Sequence, residues 1–276
     1  MQNSHYSFAL EGIGGSGKSH VGEILTENLT TGGLKVLNHK VAGLGSSPRV
    51  SLLKDIMWSR HKLKEEELTP KQLNDKLRDK IFRLAMRQQV KDLDKNNLLA
   101  YDAVIIDRTP LMIWVFAKSN NPNNPYLDEI YREVIFFTQK LNLSMVYLFD
   151  LSPETAYSRM IARYCIEKNN WEELAYDACK VIGSPADSTK LIFENVSKLI
   201  ISKSIQPKEF ESWDLIPFHV TQKERESHKQ ALYECNQRFG LNYQIIDAEK
   251  DIDTVVSSLY RSIILAMKSQ EQFKHV

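Results

Sequence analysis

The sequence predicts an α/β fold: a five-stranded parallel sheet flanked by helices, with a helical lid or insert. Three observations lead there. Short apolar runs alternate with stretches of helical periodicity, the pattern of strands covered by helices. Asp102–Asp107 (DAVIID) holds four apolar residues in succession and so needs cover on both faces, as a strand inside a parallel sheet does. A glycine-rich turn joins the first apolar run to the first helical stretch. The 276 residues allow one large domain or a domain with a sizeable insertion.

Taken in order, Tyr6–Leu10 (YSFAL) reads as the first strand. A helix follows from about Lys18 to Thr30, with Val21, Ile24, Leu25 and Leu29 on one face and Gly32-Gly33 as its stop. Lys35–Val41 is the second strand. From Ser51 to Lys95 the pattern is helical and charged, with a turn at Thr69-Pro70. Asp102–Asp107 is the third strand. Asn120–Pro125 (NNPNNP) is a loop, because two prolines among asparagines cannot continue a helix. A helix over Leu127–Leu141 precedes the fourth strand, Met145–Asp150 (MVYLFD). Ser152-Pro153-Glu154 has the form of an N-cap with proline at the first helical position. Tyr243–Asp247 (YQIID) is the last strand, and Ile252, Val255, Val256, Leu259, Ile263 and Ile264 mark the closing helix. The stretch from Cys165 to about Ser227 is helix-rich without a confident strand. Within it, Asp187–Lys203 is amphipathic, with Leu191, Ile192, Val196, Leu199 and Ile200 as one stripe. The organisation is therefore a core over 1–164, a helical lid or insert of unassigned role over 165–227, and the C-terminal part of the core over 228–276.

Composition narrows the classes. Lys and Arg (36) nearly cancel Asp and Glu (35), so net charge gives no bias toward nucleic acid or an anionic membrane. No apolar run approaches the ~20 residues of a membrane span. The first residues lack a cationic start, and Glu11 interrupts the first apolar run, so no signal peptide is expected. Cys165, Cys179 and Cys235 have spacings unlike a metal motif and fit reduced thiols in a cytoplasmic protein.

The chemistry concentrates in Gly12-Ile13-Gly14-Gly15-Ser16-Gly17-Lys18-Ser19, which satisfies G-x-x-x-x-G-K-[ST] between a strand and a helix. Consecutive main-chain N–H groups can turn around a phosphate there, because glycine adopts the required angles without a Cβ clash. Lys18 can reach the terminal phosphates of ATP, the Ser19 hydroxyl can ligate Mg²⁺, and the helix start adds a positive dipole end. The pattern predicts a P-loop NTPase fold that uses ATP and Mg²⁺. Asp107-Arg108 ends the third strand, so both emerge where ligands collect in open α/β sheets. Asp107 is placed to hold the metal with Ser19, and Arg108 to clamp a second phosphate bidentately.

These residues resemble the thymidylate kinases. Leu10-Glu11-Gly12 running into the loop, Val104–Arg108, Leu148–Glu154 with Ala156, Arg159 and Arg163, and Ile246-Asp247-Ala248 stand in that family's order, over residues 6–165 and 230–265. Arg87 stands 20 residues before Asp107, near the spacing of the family's base-holding arginine. The resemblance implies that Arg87 and Phe82 face the base and that Arg159 and Arg163 close over the reacting centre as lid arginines. It also implies a homodimer. The departures are specific. Gly14 replaces the charged residue of the family's loop, and Met86 its aspartate. Arg83 stands where the base-stacking phenylalanine belongs. The REPG turn is replaced by Gly43–Arg49, leaving Arg49 on the substrate side. These positions read thymidine, so the expected acceptor is a nucleoside monophosphate without a commitment to dTMP.

Deoxynucleoside kinases are a second family that the chain resembles, through Glu11–Ser19 and through Asp107-Arg108-Thr109 followed by Trp114–Lys118. That family needs a glutamate at the end of the second strand to deprotonate a hydroxyl. Asn38–Gly43 offers no carboxylate, which favours an acceptor that is already anionic. A nucleoside or small-alcohol kinase, an ATP-binding regulatory protein without turnover, and a kinase acting on a nucleic-acid or protein end remain alternatives.

Overall fold

The structure, a computed structural model, describes residues 5–40, 98–208 and 216–273. The strands are β1 (Tyr6–Glu11), β2 (Val36–Lys40), β3 (Ala103–Asp107), β4 (Met145–Asp150) and β5 (Tyr243–Asp247). The helices are α1 (Lys18–Thr31), α2 (Leu111–Asn120), α3 (Leu127–Lys140), α4 (Pro153–Cys165), α5 (Trp171–Ile182), α6 (Ala186–Ser202), α7 (Phe218–Phe239) and α8 (Ile252–Phe273). All five strands pair in parallel in the order β2-β3-β1-β4-β5. The α/β reading and its five strands hold, with bounds shifted by a residue or two. The helical reading of 51–95 lies outside the described residues.

Strand alternation splits the core into two layers. Ala9, Val104, Ile106, Val146 and Leu148 point to the face covered by α2, α3 and the second half of α7. Phe8, Leu10, Ile105, Tyr147 and Phe149 point to the opposite face, under α1 and α8. Register places Leu10 beside Asp107 and Glu11 beside Leu148, so the carboxyl ends of β1, β3 and β4 lie side by side. Whatever follows those strands converges.

A third apolar cluster joins α4 to the helical segment, away from the sheet. Tyr157, Ile161, Ala162 and Cys165 of α4 pack with Ala175, Cys179 and Ile182 of α5, Ile192 and Val196 of α6, and Phe218. The predicted N-cap is present: the Ser152 hydroxyl accepts from the Thr155 N–H at 3.2 Å, with Pro153 next. Ile192 and Val196 of the α6 stripe are buried, and Leu199 and Ile200 pack at the edge of the cluster. Leu191 instead turns outward at 50% exposure, because the stripe is narrower than the sequence suggests. α7 runs unbroken through the 227/228 boundary. It begins on the helical segment, where Phe218 stacks on Tyr157, and ends on the sheet with Ala231, Leu232 and Cys235. The three cysteines are buried thiols. No helix among the described residues is long and apolar enough to cross a membrane.

Tyr157 ties these parts together: its hydroxyl donates to the Ile216 carbonyl and pairs with the Thr221 hydroxyl at 2.8 Å. Tyr157→Phe takes this donor from the part-buried carbonyl and the partner from the buried Thr221 hydroxyl. It should cost about 1–2 kcal/mol, read as a lower urea midpoint at unchanged slope.

Candidate functional site

The loop between β1 and α1 is built where only glycine fits. Gly12 has φ 136°, and a Cβ there would stand 2.6 Å from the Phe149 carbonyl oxygen. Gly15 has φ 74°, and its Cβ would meet the Ala156 carbonyl oxygen at 2.6 Å. The loop therefore lies against the end of β4 and the first turn of α4. Gly17, also at positive φ, occupies the N-cap position of α1, and no side chain caps the helix there.

Lys18 bends back over this loop. Its Nζ donates to the Gly12 and Ile13 carbonyl oxygens at 2.8 Å each, and to Ser16 Oγ at 3.0 Å. It is 4% exposed. Burial, then the neighbouring Arg108 charge, pushes its ammonium down to about 7, against the pull of Asp107, Glu11 and Glu224.

Ser19 donates to Asp107 Oδ2 at 2.5 Å, joining the start of α1 to the end of β3. Asp107 Oδ1 is buried without a hydrogen-bond partner among the described residues. A hydroxyl beside a carboxylate with a spare oxygen suits Mg²⁺, which takes one or two protein ligands and fills its octahedron with water and phosphate oxygens. Among the described residues no cluster of three or more His, Cys, Asp or Glu offers an all-protein cage.

Arg108, at φ 72°, holds a left-handed backbone rare for a side-chain-bearing residue. Its N–H donates to the Leu10 carbonyl at 3.0 Å, and its guanidinium reaches Met112 Sδ at 2.7 Å. Thr109 donates through both its N–H (2.6 Å) and its hydroxyl (2.5 Å) to Glu11 Oε1. Glu11, fully buried at the end of β1, thus fixes the turn that carries Arg108.

The fourth contributor is α7, which spans the boundary drawn at 227/228, with Glu224 and Arg225 on the insert side and His228 and Lys229 on the core side. His228 Nδ1 stands 4.0 Å from Glu11 Oε2, and its Nε2 stands 3.7 Å from Glu224 Oε1. Burial would raise the Glu224 carboxyl. The imidazole beside it, followed by the charges of Arg108 and Lys18, outweighs burial and holds it below its ordinary value. Arg225 and Lys229 meet Asp150 at 2.5 and 3.2 Å, clasping α7 to the end of β4. The only prior signal was the Glu224-x-x-x-His228 spacing, which puts both on one helix face.

The α4 arginines sit at the other rim. Arg159 donates to the Ala248 carbonyl at 2.9 Å, bridging α4 to the turn after β5 rather than to the loop. Burial lowers its pKa, opposed by the nearby Glu249. Arg163, half-buried one turn on, has no side-chain hydrogen bond or ion pair among the described residues. Gly14, where an added Cβ would stand 3.9 Å from Met160 Sδ, brings no charge to the loop. Arg49, Phe82 and Arg87 lie outside the described residues. No protein-family model matches the chain, and no curated protein does.

The lowered Lys18 pKa has a measurable consequence. At about pH 8 most of the protein carries Lys18 neutral, and a phosphate anion against Nζ restores the charged form. Binding of tripolyphosphate should then take up close to one proton. At about pH 6 the group is already protonated and uptake should fade. Calorimetry in buffers of different ionisation enthalpy reads the proton count, and a heat independent of buffer at the higher pH would refute the assignment.

Proposed function

We propose that the protein is an ATP-dependent phosphotransferase of the phosphate-loop type, which carries the γ-phosphoryl group onto a nucleoside monophosphate. The observation that carries this reading is the Gly12–Ser19 loop. It is a glycine-determined turn between strand and helix, with Lys18 bent over its first carbonyls and Ser19 bonded to Asp107. In the proposed reaction the loop amides and Lys18 take the donor phosphates, and Ser19 and Asp107 hold Mg²⁺. The bound metal would neutralise charge on the phosphate oxygens.

Arg108, held on its turn by the Glu11–Thr109 bonds, takes the acceptor phosphate as a rigid bidentate donor. Arg163 closes over the reacting centre, and Arg159 joins it by leaving the Ala248 carbonyl. Such an acceptor already presents an anionic oxygen and needs no general base, which agrees with a second strand ending Asn38-His39-Lys40. The work of the protein is then positioning and charge stabilisation. The order of the motifs resembles that of thymidylate kinases, and the base-reading positions depart from it.

ATP consumption measured against all nucleoside monophosphates and nucleosides tests the proposal. Turnover is expected with one or more monophosphates, and kcat/KM should fall on the order of a hundredfold or more in Lys18→Ala. Arg108→Ala should raise the KM of the acceptor far more than that of ATP. Turnover with nucleosides alone would move the acceptor to a hydroxyl. Turnover undiminished in Lys18→Ala would remove the loop from the reaction.

A further inference from the structure

Glu11, His228 and Glu224 meet where α7 passes the end of β1, each at most 5% exposed at the side chain. The ring of His228 lies between the two carboxylates. Its Nδ1 stands 4.0 Å from Glu11 Oε2, and its Nε2 stands 3.7 Å from Glu224 Oε1. These are separations of an ion pair rather than of a hydrogen bond. The orientation of the ring matters: turned over by half a turn, it would set carbon-bound hydrogens against both carboxylates.

The two oxygens of Glu11 are unequally served. Oε1 accepts from both the N–H and the hydroxyl of Thr109, and that hydroxyl accepts in turn from the Leu111 N–H at 3.2 Å. Oε2 is buried and has no hydrogen bond among the described residues. The ionisable group that faces it at 4.0 Å is His228 Nδ1. A buried carboxylate oxygen is costly to leave unanswered. The last torsion of a glutamate is also soft, so nothing in Glu11 itself fixes the plane of its carboxylate. A polar hydrogen at Nδ1 fixes it, by drawing one oxygen toward α7 and leaving the other on Thr109. The preceding residue depends on this, because Arg108 sits at φ 72°, a backbone state that persists only where its surroundings hold it.

We propose that His228 is a positioning residue for the acceptor side of the site: through its Nδ1 edge it orients the Glu11 carboxylate, which holds the 108–109 turn. That the turn receives a phosphate rests on the phosphate-transfer reading; that His228 sets the turn does not. Glu224, on the Nε2 side, keeps the ring from turning over.

Asparagine and glutamine separate the two edges of the ring. The amide nitrogen of asparagine is as many bonds from Cβ as Nδ1, and that of glutamine as many as Nε2. In the full chain without ligand, the Thr109 amide proton, donated to a carboxylate at 2.6 Å, should resonate well downfield. His228→Asn should keep that signal in place, and His228→Gln should move it upfield. Equal shifts in the two variants, or no shift in either, overturn the inference, because position 228 then acts by packing alone.

The kinetic arm follows ATP consumption with an equimolar mixture of AMP, GMP, CMP, UMP and dTMP. In His228→Gln the rate at limiting mixture should fall about fivefold or more and recover at saturation, with His228→Asn within about twofold of wild type. An unchanged rate at limiting mixture in His228→Gln overturns the acceptor role. If wild type does not turn over the mixture, the phosphate-transfer reading fails and the Thr109 signal alone decides whether His228 sets the turn. Should both variants fail to fold, hydrogen exchange on wild type decides. The Thr109 amide should open with the same free energy as the amides of 225–229, and a Thr109 amide that opens more easily while those stay protected overturns the inference.

Discussion

A buried ammonium has to be answered, and at the carboxyl edge of this sheet the answer shapes everything around it. Lys18 is held by the carbonyls of Gly12 and Ile13, in a turn where Gly12 and Gly15 leave no room for a Cβ. The parallel register brings the ends of β1, β3 and β4 to the same level, so Glu11, Asp107 and Asp150 surround the loop as a consequence of strand order. Desolvation weakens the hold of Lys18 on its proton, and the carboxylates of Asp107, Glu11 and Glu224 restore part of it. The proposed function uses this arrangement: a cation oriented before an anion arrives costs no reorganisation when it binds.

Much of this was legible in the sequence because it rests on local rules. Apolar runs and helical periodicity gave the strands and their cover. G-x-x-x-x-G-K-[ST] placed the loop, and Asp107 fell at a strand end where it could reach Ser19. What was not legible came from long-range packing. Glu11 reads as a residue that merely ends an apolar run, yet its two bonds to Thr109 set the turn of Arg108. Glu224 and His228 sit more than 200 residues from the loop in sequence and look like part of a charged surface helix. They are buried because the turn of α7 that bears them lies over the edge of the sheet. Arg159 was placed by analogy at the reacting centre, and its guanidinium instead spans to the Ala248 carbonyl, a partner that no local pattern announces.

The helical segment over 165–227 also takes on a clearer relation to the core. Its apolar cluster is shared with α4, whose first turn abuts Gly15, and it is joined to the core also through α7, which carries Glu224. Tyr157 connects α4 to the start of α7 by both stacking and hydrogen bonding. Two of the helices that frame the loop are thus framed in turn by the insert. This gives the segment a mechanical connection to the site, with Arg225 paired to Asp150 at the end of β4.

Backbone amide resonances during a titration with pyrophosphate test the account at its source. The N–H signals of Gly15, Gly17, Lys18 and Ser19 should move downfield together and saturate with one affinity, as main-chain donors closing on an anion do. Saturable shifts confined to another surface, with these four signals unmoved, would contradict it.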